Sequence, residues 1–233
     1  MKIQHLTITG ADNQTPIEKM VSLSEVFPIL EWGILLSKKS LGKISYPDLE
    51  WLNQLSLASS SINISGHICG IWLHEILQGR FPRELIPQRF NRIQINLARY
   101  IPQVRIQNLK KSLPHDISYI LQVGEYYQQG ISLARDLIFA SYQVAVLYDV
   151  SGGSGISPAD WKIFPEDIPV GYAGGLGPDN LMPELKKLES IVGNRSIWID
   201  MQAGIRTANN RSIDFGKIQT CIDNVNSFNT QSL

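Results

Sequence analysis

The chain of 233 residues has few cysteines and lacks the cysteine pattern of a disulfide-stapled or zinc-stabilised scaffold. Cys69 and Cys221 are its only cysteines, they lie far apart, and neither belongs to a CxxC pair. The sequence therefore excludes a disulfide framework as the source of stability. Cysteine usage of this kind predicts a protein of the reducing cytoplasm.

The chain also lacks an excess of charge of either sign. Lys and Arg total 21, Asp and Glu total 21, and charged residues make up only 18%, against a usual fraction of about a quarter. No net field would attract the chain to nucleic acid or to an anionic membrane surface. No apolar run approaches the roughly 20 residues of a membrane span. The first residues, MKIQHLTITG, have the pattern of a strand ended by glycine and not of an export signal. We expect a protein that binds a small molecule and leave its oligomeric state open.

Short apolar runs recur along the whole length, and their aliphatic and β-branched content is typical of strands buried on both faces. The hydrophobic fraction of 43% supports a large core, and the length is close to that of one β/α barrel. We predict a single domain over residues 1–233, an α/β fold in which eight parallel strands close into a (β/α)8 TIM barrel. The predicted strands are Ile3–Ile8, Trp32–Leu36, Ile62–His67, Arg92–Leu97, Ser118–Val123, Val144–Asp149, Pro169–Ala173 and Ser196–Asp200.

Helical spacing of apolar residues occurs between most of these strands. The fourth connection, Pro102–Leu113, is ambiguous because it begins with β-branched residues, and the sixth, around Pro158–Trp161, is reduced to one turn. The predicted helices are Pro16–Val26, Pro47–Leu57, Ile71–Leu77, Tyr126–Phe139, Pro178–Ile191 and Ile213–Val225.

Three of the late strands end abruptly in glycines. The sequences are VAVLYDVSGGSG, VGYAGGLGPDN and SIWIDMQAGIRT. In β/α barrels the loops after the seventh and eighth strands form a recurrent phosphate site, because glycine lets backbone N–H groups approach an anion closely. We therefore predict phosphate binding by Gly174, Gly175, Ala203 and Gly204. The alternative is that the glycines only make tight turns.

Two ionisable residues end strands at the predicted mouth of the barrel. Asp149 ends VAVLYD and is followed by Gly152, Gly153 and Gly155; a carboxyl shielded there suits a general acid, while the alternative is an aspartate that caps the loop. His67 ends INISGH and is a candidate acid–base partner near neutral pH. The alternative for His67 is a hydrogen-bonded packing histidine.

Neutral polar residues end the neighbouring strands. Asn96 and Gln122 are suited to bind sugar hydroxyls or an amide. Asp200 ends the eighth strand and could bond to backbone or ligand. Because no pair of candidate ligands has the helical spacing of a metal site, we predict no metal. We also expect no other cofactor.

The late motifs resemble those of phosphoribosylanthranilate isomerase, the β/α barrel of tryptophan synthesis. That family shows an aspartate followed by GGTG, then AGGLTPENV, then DVSSGVE; here the order is DVSGGSG, AGGLGPDN and DMQAGIR. The resemblance covers roughly the last ninety residues. It implies a TIM barrel, Asp149 as the general acid, and a phosphate held at Gly174, Gly175, Ala203 and Gly204.

The resemblance fails at the other catalytic positions. The family's general base is a cysteine where this chain has Thr9, and a threonine hydroxyl is not a base near neutral pH. Asp12 could substitute, although an aspartate after a glycine is more often a turn or helix cap. Lys39 falls near the family's substrate arginine and lacks its planar fork. Arg206 replaces an acidic residue and would add a cation near the phosphate, unless it is simply exposed on its loop.

These patterns indicate a divergent barrel that binds a small phosphorylated, sugar-derived metabolite. We expect an isomerase- or lyase-type acid–base enzyme that is not a functional phosphoribosylanthranilate isomerase. The alternative is a non-catalytic barrel that binds a phosphorylated metabolite or a protein partner. The persisting phosphate loops favour the enzyme, and the missing base of the family is the reason for the non-catalytic alternative.

Overall fold

A computed structural model of the chain describes residues 1–82, 90–151 and 155–231. Eight parallel strands pair in chain order, and the first also pairs with the eighth, so the sheet closes. The predicted α/β TIM barrel is confirmed. Gly152 and Gly153, singled out in the sequence, lie outside the described residues. The strands are β1 (Lys2–Thr9), β2 (Leu30–Leu36), β3 (Asn63–Ile68), β4 (Arg92–Ile95), β5 (Ser118–Val123), β6 (Gln143–Asp149), β7 (Val170–Ala173) and β8 (Ser196–Met201).

Helices follow most of the strands and pack outside the barrel. The ambiguous fourth connection contains a 3-10 turn, Ile101–Gln103, and then a short helix. Within the described ranges, no helix has the length and apolar character needed to cross a membrane. The α-helices are α1 (Ile17–Val26), α2 (Leu49–Ala58), α3 (Gly70–Leu77), α4 (Ile106–Ser112), α5 (Tyr127–Phe139), α6 (Leu181–Val192) and α7 (Phe215–Gln231).

The helical turn predicted around Pro158–Trp161 is wrong. The described part of the β6–β7 connection, residues 155–169, contains no helix. Instead Trp161 and Phe164 are buried and pack against Tyr172 with ring centroids 5.6 and 6.3 Å apart. Large aromatic side chains bury as much apolar surface as a short helix face. They cover β7 from the outside, where the helix would otherwise lie.

The main apolar core lies between the strands and the helices, and not inside the barrel. On β8, for example, Ile197 and Ile199 belong to this outer core, whereas Trp198 and Asp200 alternate to the inside. The apolar cluster inside the barrel is small and consists of Ile120, Leu147, Ala173 and Trp198, with Ala145 against it. Much of the interior is therefore filled by polar side chains.

An ion pair occupies the amino-terminal part of the barrel interior. Arg92 donates from Nε and Nη2 to the two carboxylate oxygens of Glu31, at 2.8 and 2.7 Å, and Thr7 Oγ1 donates to the same carboxylate. The guanidinium also lies over the Trp198 ring, 4.6 Å from its centroid. Burial raises the pKa of Glu31, but Arg92 and Thr7 outweigh it and leave the pKa below its ordinary value.

Arg92→Met tests whether the barrel depends on this pair. It leaves the buried Glu31 carboxylate without its partner, and we expect unfolding free energy to fall by about 3–5 kcal/mol. The double variant Arg92→Met/Glu31→Gln should recover roughly half of the lost unfolding free energy, because no unpaired charge then remains buried. Chemical denaturation measures both. Arg135→Met is the matched control because Arg135 pairs with Asp167 at an exposed site, and it should cause no measurable loss. Equal effects of the two Arg→Met changes would contradict this account.

Candidate active site at the carboxyl ends of the strands

A cavity of about 370 Å³ opens at the carboxyl ends of the strands. Its volume lies within the range of small-molecule sites. Most of its lining comes from strand ends and the loops that follow them, and Arg99 is the one Lys or Arg among the described lining residues. The lining includes polar residues at the strand ends and small residues of the following loops: Thr9, His67, Gln94, Asn96, Gln122, Asp149, Asp200, Gly174, Gly175 and Ala203.

Asp149 ends β6 and lines this cavity with 5% of its surface exposed. Gln122 Nε2, at the end of β5, donates to its Oδ2 at 2.7 Å. The Ser151 amide and hydroxyl donate to its Oδ1 at 2.9 and 2.6 Å. The structure thus combines both interpretations of the sequence, since Asp149 caps its own loop and also faces the cavity.

Asp200 lies on the same side of the cavity and is held by Thr9. The hydroxyl of Thr9 donates to Asp200 Oδ1 at 2.7 Å. Burial raises the pKa of Asp200 to about 7, the nearby Asp149 charge adds to the rise, and the Thr9 hydrogen bond opposes it. The carboxyl therefore exchanges a proton near neutral pH. From the sequence, Asp200 is expected only to bond to backbone or ligand; the signal for a place inside the barrel is its alternation with Trp198 along β8.

His67 also lines the cavity but is almost fully buried. Its Nε2 lies 3.0 Å from Ser65 Oγ and 4.0 Å from Asp200 Oδ2. Burial lowers the pKa of His67 to about 4, with Arg92 contributing to the fall. The imidazole is therefore neutral at pH 7, and its contact with Ser65 agrees with the alternative of a hydrogen-bonded packing histidine, while its acid–base role stays a prediction.

The loop after β7 has the backbone conformation that glycine permits. Gly174 and Gly175 have φ values of +118° and +60°. Asn180 fixes the loop: its Nδ2 donates to the Gly175 carbonyl, and its Oδ1 accepts from the Gly177 amide. Both glycines line the cavity. Successive peptide groups in such a conformation form a concavity that suits an anion.

The loop after β8 packs directly on the loop after β7. Ala203 lines the cavity and begins a 3-10 turn, Ala203–Ile205. Gly204 has a packing role, because there is no room for a side chain at this position. A Cβ there would lie 2.2 Å from the Leu176 carbonyl oxygen and 2.8 Å from Gly177 Cα. Gly204 thus allows the two loops to touch and does not itself line the cavity. The predicted phosphate residues are together, with three of them facing the cavity.

A chain of hydrogen bonds crosses the opposite side of the cavity. Gln94 Nε2 donates to Asn96 Oδ1 at 2.9 Å, and Asn96 Nδ2 lies 3.0 Å from Cys69 Sγ. Gln94 Oε1 is buried and has no partner among the described residues. Burial raises the pKa of the Cys69 thiol to about 12. Cys69 is therefore a neutral member of this network and not a nucleophile.

Three other predicted site residues lie outside the cavity lining. Asp12 accepts hydrogen bonds from the Gln14 and Ser45 amides and pairs with Arg206 at 3.4 Å. Arg206 is buried, not exposed on its loop, and also donates to the Gly10 carbonyl at 2.9 Å. The two residues join the loops that follow β1 and β8.

Lys39 is exposed and does not line the cavity. Among the described residues, no group of three or more His, Cys, Asp or Glu side chains is arranged to hold a metal ion.

No protein-family model matches the chain, and no curated protein matches its sequence. Among solved structures, the fold is similar to that of a truncated form of 3-deoxy-D-arabino-heptulosonate 7-phosphate synthase from Thermotoga maritima. The TM-score is 0.58, the sequence identity is 10%, and the match covers 99% of this chain and 87% of that one. At this identity the similarity shows the fold, an α/β TIM barrel, and nothing finer.

Replacing His67 tests its buried neutral state. The pKa of His67 in the folded protein, about 4, lies below the ordinary value of 6.5. Between these two pH values the unfolded chain therefore binds a proton at His67 that the folded chain does not bind. Stability from this group is present above pH 6.5 and is lost as the pH falls toward 4, by no more than about 3 kcal/mol. Chemical denaturation at pH 7 and pH 4.5 should show a smaller acid loss for His67→Gln than for wild type. Exposed His74 is the control, and His74→Gln should keep the wild-type loss. An unchanged loss in His67→Gln would contradict the assignment.

Proposed function

We propose that this barrel binds a small phosphorylated, sugar-derived metabolite and performs acid–base chemistry on it. The proposal rests on one observation: an anion site and a carboxyl group lie in the same cavity. The left-handed glycines Gly174 and Gly175, with Ala203 beside them, offer an anion site, and Asp149 supplies a carboxyl for proton transfer. Asn96 and Gln122 provide amide groups suited to hydroxyls of the sugar.

We also propose that the chain is a divergent relative of phosphoribosylanthranilate isomerase. Support comes from the order of the three late motifs and from their positions after β6, β7 and β8. The solved structure of similar fold is an enzyme whose name specifies a sugar 7-phosphate, which agrees with a phosphorylated ligand by analogy of fold alone. Asp12, Lys39 and Arg206 receive no substrate contact in this proposal because they lie outside the cavity lining.

Inorganic phosphate tests the anion site. It should raise the melting temperature of the wild-type protein, because a ligand that binds only the folded state stabilises it. Gly175→Ala should abolish that rise, since a Cβ there would lie 2.6 Å from the Ser157 amide nitrogen. Gly193→Ala is the matched control: its φ of +63° is nearly the same, and no atom lies within 4 Å of the added Cβ. An equal phosphate effect in all three proteins would place the anion elsewhere.

The chain should not replace phosphoribosylanthranilate isomerase. Thr9 stands where that family has its base, and its hydroxyl donates a hydrogen bond to Asp200. Loss of general-base help typically removes about 10²–10⁴-fold in rate. We expect no growth when the gene is supplied to a tryptophan auxotroph that lacks the isomerase, with an authentic isomerase gene as the positive control. Growth at ordinary expression would show that another group serves as base.

A further inference from the structure

Two carboxyl side chains stand side by side at the floor of the cavity. In the sheet register, Asp149 on β6 pairs with Ala173 on β7, and Ala173 pairs with Asp200 on β8. The small side chain of Ala173 separates the two carboxyls and leaves room between them. Both carboxyls line the same cavity, so one ligand can contact both.

The two carboxyls differ in their hydrogen bonds. Asp149 accepts three from described residues, and these reach both of its oxygens. These donors bond to the carboxylate, and its Oδ2, which has a single donor, keeps a lone pair that can accept a proton. Asp200 accepts from Thr9 at Oδ1 alone, and its Oδ2 makes no hydrogen bond to a described residue. Asp200 Oδ2 therefore has space for a proton.

The surroundings of Asp200 also favour the protonated form. The carboxyl is 6% exposed, and two like charges in one buried site resist joint ionisation. Burial is the main cause of its raised pKa, while Thr9 and Arg92 act in the opposite direction. The titratable and charged groups near it are Asp149 on β6, Glu31 on β2, Arg92 on β4 and the neutral His67 on β3.

We propose that Asp200 is the proton donor of the cavity and that Asp149 is the carboxylate that accepts a proton. This reverses the role that the family resemblance implies for Asp149. It assigns Thr9 a positioning role, since its hydroxyl holds Oδ1 and leaves Oδ2 available to a ligand. The inference rests on the proposed function, a phosphorylated sugar held in this cavity, and narrows it to carbonyl-bearing members of that class.

The proton transfers balance without an oxidant, a metal or a co-reactant. Asp149 removes a proton from the carbon next to a carbonyl or imine, and the C–H electron pair forms a carbon–carbon double bond. The former π electrons move to the oxygen or nitrogen, which takes the proton of Asp200. Where the deprotonated carbon carries a hydroxyl, that hydroxyl returns a proton to Asp200 as its oxygen becomes the new carbonyl. Asp149 delivers its proton to the former carbonyl or imine carbon, which gives the isomer and restores both carboxyls to their starting states.

Infrared difference spectroscopy locates the proton without any ligand. Between pH 5 and pH 9 the wild-type protein should lose a protonated-carboxyl band with a midpoint near pH 7. Asp200→Asn should remove this band. Asp149→Asn should keep it with a lower midpoint, because a like charge is removed, and Thr9→Val should raise the midpoint, because a hydrogen bond to the carboxylate is lost. Exposed Asp167→Asn is the control and should leave the band unchanged.

Either of two results would overturn the assignment of the proton to Asp200. A wild-type protein without such a band, or a band that Asp149→Asn removes and Asp200→Asn keeps, would show that the donor is not Asp200. The Thr9→Val shift separates a positioning role from a structural one, because a side chain that only packs would not move the midpoint.

Deuterium uptake from D₂O tests the transfer step. At least one of three probe compounds should gain deuterium at the carbon next to its carbonyl group: ribose 5-phosphate, ribulose 5-phosphate or dihydroxyacetone phosphate. Asp149→Asn should slow this uptake at least 100-fold, and the wild-type rate should fall above pH 7 as Asp200 loses its proton. If none of the three compounds takes up deuterium, the proposed acid–base roles are wrong. Failure of the phosphate-binding proposal is recognised separately, because inorganic phosphate would then not stabilise the wild-type protein.

Discussion

Polar side chains that are removed from water must find partners, and the interior of this barrel is filled largely by such side chains. The Arg92–Glu31 pair meets this requirement near the amino ends of the strands, where Trp198 and Thr7 complete its surroundings. Above it, His67 stays neutral through burial, and Asp200 is held by Thr9. The barrel therefore has a closed, charge-paired lower part and an upper part whose carboxyls are incompletely paired.

That division accounts for the location of the candidate site. The lower interior is occupied by the Arg92–Glu31 pair, whereas the upper interior opens into the candidate cavity, which is lined by strand ends and by loops after β2, β3, β4, β6, β7 and β8. Glycines permit close contact there, since Gly204 lets one loop touch the next. Asp12 and Arg206 stabilise the rim by joining the loops after β1 and β8. Rigid support of this kind is what a preorganised site requires.

Strand positions were accessible from the sequence because apolar runs and glycine stops report local structure. Ser118–Val123 was predicted with the observed bounds. Three features were not accessible, because each depends on contacts between distant segments. Trp161 and Phe164 replace a helix by packing on Tyr172. Arg206 is buried in part through contacts with Gly10 and Asp12, which lie far from it in the sequence. The raised pKa of Asp200 comes first from its burial inside the closed barrel and then from the charges of Asp149 and Glu31 on other strands.

The central claim is that an anion binds where the loops after β7 and β8 meet beside the two carboxyls. Titration of ¹⁵N-labelled protein with inorganic phosphate measures this most directly, because each backbone amide reports its own surroundings. The account predicts saturable shifts that are largest at the amides of Gly174, Gly175 and Ala203. The amide of Gly193, a glycine with a φ close to that of Gly175 at the carboxyl end of α6, should not move. Shifts confined to other loops, or no saturable shift at any amide, would contradict it.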